Sequence, residues 1–127
     1  MKLSDFIVEF LKQNGVDVIF ELCGGSIIHI LDSLHKNRGI KIVSMHHEQA
    51  AAIAAEGFAR TRGNIGVAMA TSGPGATNMI TGIASCFFDS IPSVFITGQV
   101  NTYEFKFTSP VRQIGFQETD IVNIVRP

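Results

Sequence analysis

Four short apolar runs, at residues 16–20, 40–45, 65–71 and 93–97, alternate along this chain with stretches that carry helical spacing. The runs are close to continuously apolar, which is the mark of strands buried on both faces. A strand that is covered on both faces needs a helical layer on each side, and parallel strands need long crossovers to return the chain. The pattern therefore predicts an α/β fold: a doubly wound parallel sheet with helices on both faces and right-handed crossovers. The helices follow from local chemistry. Ser4 is a good N-cap for Ile7, Phe10 and Leu11, and Asn14-Gly15 ends that run. Gly24-Gly25-Ser26 turns the chain into a second helix with Ile27, Ile28, Leu31 and Leu34 on its buried stripe. An alanine-rich third helix spans 48–62, with Glu56 and Arg60 spaced for an ion pair. A fourth is expected over 76–88, and 116–126 reads as a short helix or strand.

A length of 127 residues allows one domain. Only 17 % of the residues are charged, so a disordered chain is excluded and more buried surface is implied than one small domain usually has. The net charge of −1 offers no basic field for nucleic acid or an anionic membrane surface. The uncharged stretch 63–88 is interrupted by Ser72-Gly73-Pro74-Gly75 and by Asn78, which a spanning helix would not tolerate. The start Met1-Lys2-Leu3-Ser4-Asp5 has no signal-peptide pattern, and a cytoplasmic, soluble protein is expected. Cys23 and Cys86 are too few for a disulfide framework and lack metal-type spacing. Both read as core residues, although Cys23 beside Gly24-Gly25 could instead be a reactive thiol.

In open α/β sheets, ligands bind beyond the carboxyl ends of the strands. Four segments fall there: 21–26, 45–49, 71–78 and 98–101. The loop Ser72-Gly73-Pro74-Gly75-Ala76-Thr77-Asn78 could cradle an anion with backbone N–H groups, or simply be a tight turn that needs small residues. It lacks the lysine of a nucleotide-binding loop. Glu48 follows a strand end and leads into Ala50, Ala51 and Ala52, so its carboxyl would sit at a helix start with an apolar side. Burial would raise its pKa and the helix N-terminus would lower it. The plainer reading is ordinary placement of an acid in a first turn. His46 and His47 diverge as strand neighbours and make a poor metal pair, so no metal site is expected. Phe87, Phe88, Phe95, Phe105, Phe107 and Phe116 read as core or interface. His29 and His35 suggest no role. Between 99 and 115 periodicity is lost, and a loop of that size is usually functional or mobile.

Taken together, His47-Glu48-Gln49-Ala50-Ala51, Thr71-Ser72-Gly73-Pro74-Gly75-Ala76-Thr77-Asn78, Asp89-Ser90-Ile91-Pro92 and Thr97-Gly98-Gln99-Val100 form an ordered set, extended by Phe116-Gln117-Glu118 and Asp120. The set resembles the N-terminal, pyrimidine-binding domain of thiamine-diphosphate enzymes, and within them the acetolactate synthase group. The resemblance implies that residues 1–127 form that domain. It implies an activity as well, in which a 2-oxo acid is decarboxylated and its two-carbon unit is passed to a carbonyl acceptor. Glu48 would bond the ring nitrogen of the cofactor's aminopyrimidine and favour the tautomer that activates the thiazolium carbon. Gly24, Gly25, Pro74 and Asn78 would join it in holding the cofactor. Phe116 and Gln117 would face substrate, with Gln117 counted beside Glu48 as catalytic.

The resemblance further implies Mg²⁺ and a diphosphate held by a domain not present in this chain. It implies a homodimer or higher assembly, or a complementary diphosphate-binding domain, because a full-length relative builds its site between two subunits. Glu21-Leu22-Cys23-Gly24-Gly25 departs from the family's Gly-x-Pro-Gly-Gly, and the 101–115 segment is longer and carries Tyr103, Lys106 and Arg112. Arg112 could contact an anionic group. The chain stops before the family's closing helix and strand, so a fragment or one component of a split enzyme is expected, inactive by itself. The competing expectation is a non-catalytic truncated domain that serves as an oligomerisation or partner-binding module. A phosphate- or nucleotide-binding domain would rest on the Gly73-Pro74-Gly75 turn alone.

Overall fold

A computed structural model describes all residues, 1–127. Its elements in chain order are α1 (Leu3–Gln13), β1 (Val18–Glu21), α2 (Ile28–Lys36), β2 (Lys41–Ser44), α3 (Glu48–Arg62), β3 (Gly66–Ala70), α4 (Pro74–Thr77), α5 (Ile80–Phe88), β4 (Ser93–Thr97) and α6 (Ile121–Ile124). One-turn 3₁₀ segments at Gly25–Ile27 and Thr102–Glu104 link β1 to α2 and follow β4. The sheet is wholly parallel in the order β2-β1-β3-β4. The chain thus winds outward from β1 to β2, crosses back over β1 to β3, and continues to β4. The doubly wound parallel sheet with helices on both faces is the architecture the periodicity predicts, and its switch point lies between β1 and β3.

Side chains alternate across each strand and divide the core into two layers. Val67 and Met69 of β3 join Ile19, the α1 residues Val8 and Leu11, and Leu34 of α2. Ala68 and Ala70 turn the other way, onto Ala51, Ala52 and Ala55 of α3 and Met79. This second layer is made of small side chains because the backbones are close. A Cβ on Gly66 would stand 2.1 Å from the Ala55 carbonyl oxygen, and one on Gly82 would stand 2.4 Å from Ala52 Cβ. All five residues of β3 are buried. No helix is long and apolar enough to cross a membrane.

Several local expectations change. The strands start or stop within one to two residues of the apolar runs. Val16 stays in the core while its N–H bonds the Leu11 carbonyl and not the sheet. Lys2 and not Ser4 caps α1, and Ser4 is buried with its hydroxyl 2.9 Å from that of Ser33, which also donates to Asp5 at 2.7 Å. The helix expected over 76–88 starts earlier, at Pro74, and is divided. The Met79 N–H bonds Ala76 three residues back, which tightens the turn between α4 and α5. Cys86 is buried as expected, but Cys23 is exposed, because the chain lifts off the sheet after Glu21. Of the phenylalanines expected in core or interface, Phe87, Phe88, Phe107 and Phe116 are exposed and so are not core, and the interface alternative stays open for them. Arg60 pairs with Glu56 at 2.7 Å and also reaches Asp89.

Candidate functional site

Glu48 opens α3 directly after β2. His47 caps the helix by accepting the Gln49 N–H on Nδ1 at 3.1 Å. The helix dipole favours an acid at that end, while Ala51 and Ala52 behind it are fully buried. The result is a glutamate only 9 % exposed as a whole residue. Asn78, in the turn between α4 and α5, donates its Nδ2 to Glu48 Oε2 at 2.9 Å. Oε1 has no hydrogen-bond partner. Gly75 keeps room beside it, since a Cβ there would lie 3.3 Å from Oε1.

Thr71, at the end of β3, ties the neighbouring loop to this turn. Its Cβ would be 2.4 Å from a Cβ on Gly24, and its Cγ2 would be 2.7 Å from one on Gly75. Its hydroxyl meets Ser26 Oγ at 2.8 Å, and Ser26 Oγ meets Ser72 Oγ at 2.9 Å. Gly24 and Gly25 thus stand across Thr71 from the Glu48 carboxylate. A Cβ on Gly25 would meet nothing within 4 Å, so its backbone borders open space.

Gln117 closes the other side. It adopts a left-handed backbone, φ 55°, at a cost of about 1–2 kcal/mol for a residue with a Cβ. It rests on the Gly73 turn, where φ is 62° and a Cβ would come within 2.6 Å of Gln117 Cβ. Glu118 pins the segment before it: its carboxylate accepts the N–H of Lys106 at 2.8 Å and of Ile114 at 2.9 Å. Burial pushes the Glu118 carboxyl up, but the N–H groups of Ile114, Lys106 and Gly115 outweigh it and hold it below its ordinary value. Phe116, Gln117, Gly25, Thr71 and Ser72 border one groove of about 470 Å³.

The structure therefore brings together Glu48 with Asn78, and Gly25 with Phe116 and Gln117. Thr71 links the two groups. Pro74 is the exposed first residue of α4 and supplies carbonyl bonds to Thr77 and Asn78 without touching Glu48 through a hydrogen bond. Arg112 and Lys106 do not line the groove; the Lys106 ammonium donates to the carbonyls of Val111 and Arg112 in its own loop. The hydroxyl cluster of Ser26, Thr71 and Ser72 and the groove positions of His29 and Glu104 escape a reading of the sequence, because each depends on loops that meet only in the fold.

A family model described as "Thiamine pyrophosphate enzyme, N-terminal TPP binding domain" matches residues 1–124. The chain is 46 % identical over 124 residues to the acetolactate synthase isozyme 3 large subunit of Escherichia coli K12, covering 98 % of this chain and 21 % of that one. It is 44 % identical over 128 residues to the chloroplastic acetolactate synthase of Arabidopsis thaliana, covering 98 % and 18 %. The large subunit from Lactococcus lactis is 40 % identical over 124 residues, covering 98 % and 20 %. The chain spans about a fifth of the length of these relatives. With the match running along almost all of its residues, the chain belongs to the thiamine pyrophosphate enzyme family, as an N-terminal cofactor-binding domain.

Proposed function

We propose that this chain is the pyrimidine-binding half-site of an acetolactate-synthase-like enzyme that decarboxylates a 2-oxo acid and transfers the two-carbon unit to a carbonyl acceptor. The observation that carries this reading is the Glu48 carboxylate. It is nearly buried, bonded by Asn78 on one oxygen only, and bordered by glycine at the other. That donor set fits thiamine diphosphate: a free carboxylate oxygen in an apolar setting can hold or share a proton with a ring nitrogen. When bound, the cofactor supplies the carbanion chemistry and the protein supplies orientation and a dry site. Glu48 shares the proton at Oε1, and Asn78 keeps the carboxylate in that orientation. Gly25 leaves space for close approach, Gly24 lets the loop pack onto Thr71 beside the cofactor, Pro74 fixes the start of the turn, and Phe116 and Gln117 border the substrate. Gln117, on the groove side of Thr71, is the second catalytic candidate after Glu48.

Mg²⁺ and the diphosphate belong, on this reading, to a diphosphate-binding domain outside residues 1–127, on the same polypeptide or on a complementary partner. The chain alone is then inactive, and its setting is cytoplasmic. The test is calorimetric titration of thiamine diphosphate with Mg²⁺ into the chain, alone and with a diphosphate-binding partner domain. Binding only with the partner, lost in Glu48→Ala, is the expected result. Absence of binding in both cases, with the chain folded, would overturn the reading.

One observation favours a second reading, a partner-binding module without catalysis. Ile80, Phe87 and Phe88 of α5 meet Ile124 and Val125 around an apolar groove of about 430 Å³, away from Glu48. Phe87 and Phe88 are 62 % and 79 % exposed. Apolar surface gathered in one place marks an interaction site more often than scattered residues do.

A further inference from the structure

The hydroxyls of Ser26, Thr71 and Ser72 form an open chain on the groove wall, and the balance of their protons fixes which one is left for a ligand. Ser26 Oγ stands in the middle, 2.8 Å from Thr71 Oγ1 and 2.9 Å from Ser72 Oγ. It also accepts the Ser72 N–H at 3.3 Å. A hydroxyl has one proton and two lone pairs. With one lone pair filled by that N–H, Ser26 gives its proton to one neighbouring hydroxyl and takes a proton from the other. The chain then has one proton to spare, and it falls on Thr71 or on Ser72.

Burial decides between the two ends. Ser72 is only 8 % exposed, and its hydroxyl has no acceptor other than Ser26. A spare proton there would be a buried donor without a partner, which costs stability. Thr71 is half-buried and borders the groove. The chain therefore runs from Ser72 through Ser26 to Thr71. Both lone pairs of Thr71 Oγ1 are then filled, by the Ser26 hydroxyl and by the Ser26 N–H at 3.3 Å. Thr71 is left with a proton to give and nothing to accept with, and a hydroxyl that accepts two hydrogen bonds donates more strongly. Its methyl group faces Gly75, where a Cβ would lie 3.3 Å from Glu48 Oε1, while its hydroxyl stands with Ser26 on the wall shared with Phe116 and Gln117.

We infer that Thr71 is a substrate-binding residue: its hydroxyl donates to an oxygen of the 2-oxo acid, and Ser26 and Ser72 are positioning residues that aim it. The inference rests on the proposed function and adds a contact residue to it. A bond made equally in the bound substrate and in the transition state acts on KM and leaves kcat unchanged.

The experiment uses the complete enzyme, this chain together with its diphosphate-binding domain, loaded with thiamine diphosphate and Mg²⁺ and given pyruvate. Thr71→Val keeps the shape of the side chain and removes the hydroxyl. It should raise KM for pyruvate by about tenfold, the worth of one such hydrogen bond, with kcat within about twofold. Thr71→Ser restores the hydroxyl and should bring KM back to within about threefold of the wild type, which a packing role of the methyl group would not. Ser26→Ala, at an exposed position, is the second variant should Thr71→Val fail to fold. It releases the Thr71 proton from its fixed direction and should raise KM by about threefold or more. Calorimetric titration of the cofactor with Mg²⁺ should give the same Kd for every form. An unchanged KM in Thr71→Val or in Ser26→Ala, or an equal rise in Thr71→Ser, would overturn the inference and leave the proposed function standing. A cofactor Kd that rises with loss of the hydroxyl would overturn it too, by giving that donor to the cofactor. A wild-type enzyme that binds no cofactor, or releases no CO₂ from pyruvate, would remove the proposed function and this inference with it.

Discussion

At Glu48 a single hydrogen bond separates two roles for one carboxylate. Asn78 occupies Oε2 and leaves Oε1 without a partner, so the side chain is oriented yet still able to exchange a proton. If Glu48 is the activating acid, Glu48→Gln in the complete enzyme lowers the rate of proton exchange at the cofactor's C2 by at least about 100-fold, the lower end of what a positioned acid or base contributes. Exchange into deuterated solvent, followed by NMR, measures this. Asn78→Ala should cost less, since it loosens the carboxylate and does not remove it. Gly24 makes a steric prediction that is independent of chemistry. A methyl group there would lie 2.4 Å from Thr71 Cβ, with the Thr71 hydroxyl at 2.8 Å. Gly24→Ala must therefore push apart the Gly24–Ser26 and Thr71–Ser72 loops, at about 1–3 kcal/mol, the usual cost of overpacking. Thermal unfolding gives the stability loss, and the calorimetric titration reports whether the half-site is lost with it.

Between elements, two contacts fix how far the site can relax. The α3–β3 contact is set by Gly66, where a Cβ would stand 2.1 Å from the Ala55 carbonyl oxygen. Backbone cannot turn away as a side chain can, so Gly66→Ala should displace α3, and Glu48 at its first turn, and lower the melting temperature. The segment 106–118 is held differently, by a carboxylate that gathers backbone N–H groups. Glu118 lies below its ordinary value of 4.5 because those bonds favour the ionised form against the opposing effect of burial. A depressed folded pKa contributes stability above the unfolded value and loses it as pH falls through the folded one. Amide exchange at Lys106 and Ile114 should therefore accelerate as pH drops below 4.5, after correction for the intrinsic pH dependence of exchange, and Glu118→Gln should abolish that pH dependence. These contacts also mark what the sequence could and could not disclose. The alternation of apolar runs and helices was enough for the layers, because burial on both faces is written into each run. The α3 range 48–62 could be read directly from its alanines and from the spacing of Glu56 and Arg60. The hydroxyl cluster around Ser26 and the burial of Ser4 against Ser33 could not, since each joins residues 29 to 46 positions apart.

For the whole molecule, the β2-β1-β3-β4 order places the loops after β1 and β3 side by side at the switch point, and α3 starts beside them after β2. Glu48, Gly24 and the Thr71–Asn78 turn converge for that reason, and sequence motifs far apart in the chain become one surface. The same winding leaves α5 near one side of the sheet with Phe87 and Phe88 facing outward, together with Ile124 of α6. Burying such side chains would gain roughly 1.5–3 kcal/mol each. A second copy offering the same surface could supply that burial, and the partner-binding reading then makes its own prediction. The chain should sediment as a dimer or larger at concentrations on the order of tens of micromolar, above the weak end of the micromolar-to-picomolar span of such interfaces. Phe87→Ser with Phe88→Lys should return it to a monomer. Both positions are exposed in the single chain, so beyond the stability lost with the dimer the change should alter unfolding stability by only about 0.5 kcal/mol. Analytical ultracentrifugation of both forms, paired with the thermal melt, decides the matter. A wild-type monomer would sink the module reading, whereas a dimer untouched by the double substitution would move the interface to another face.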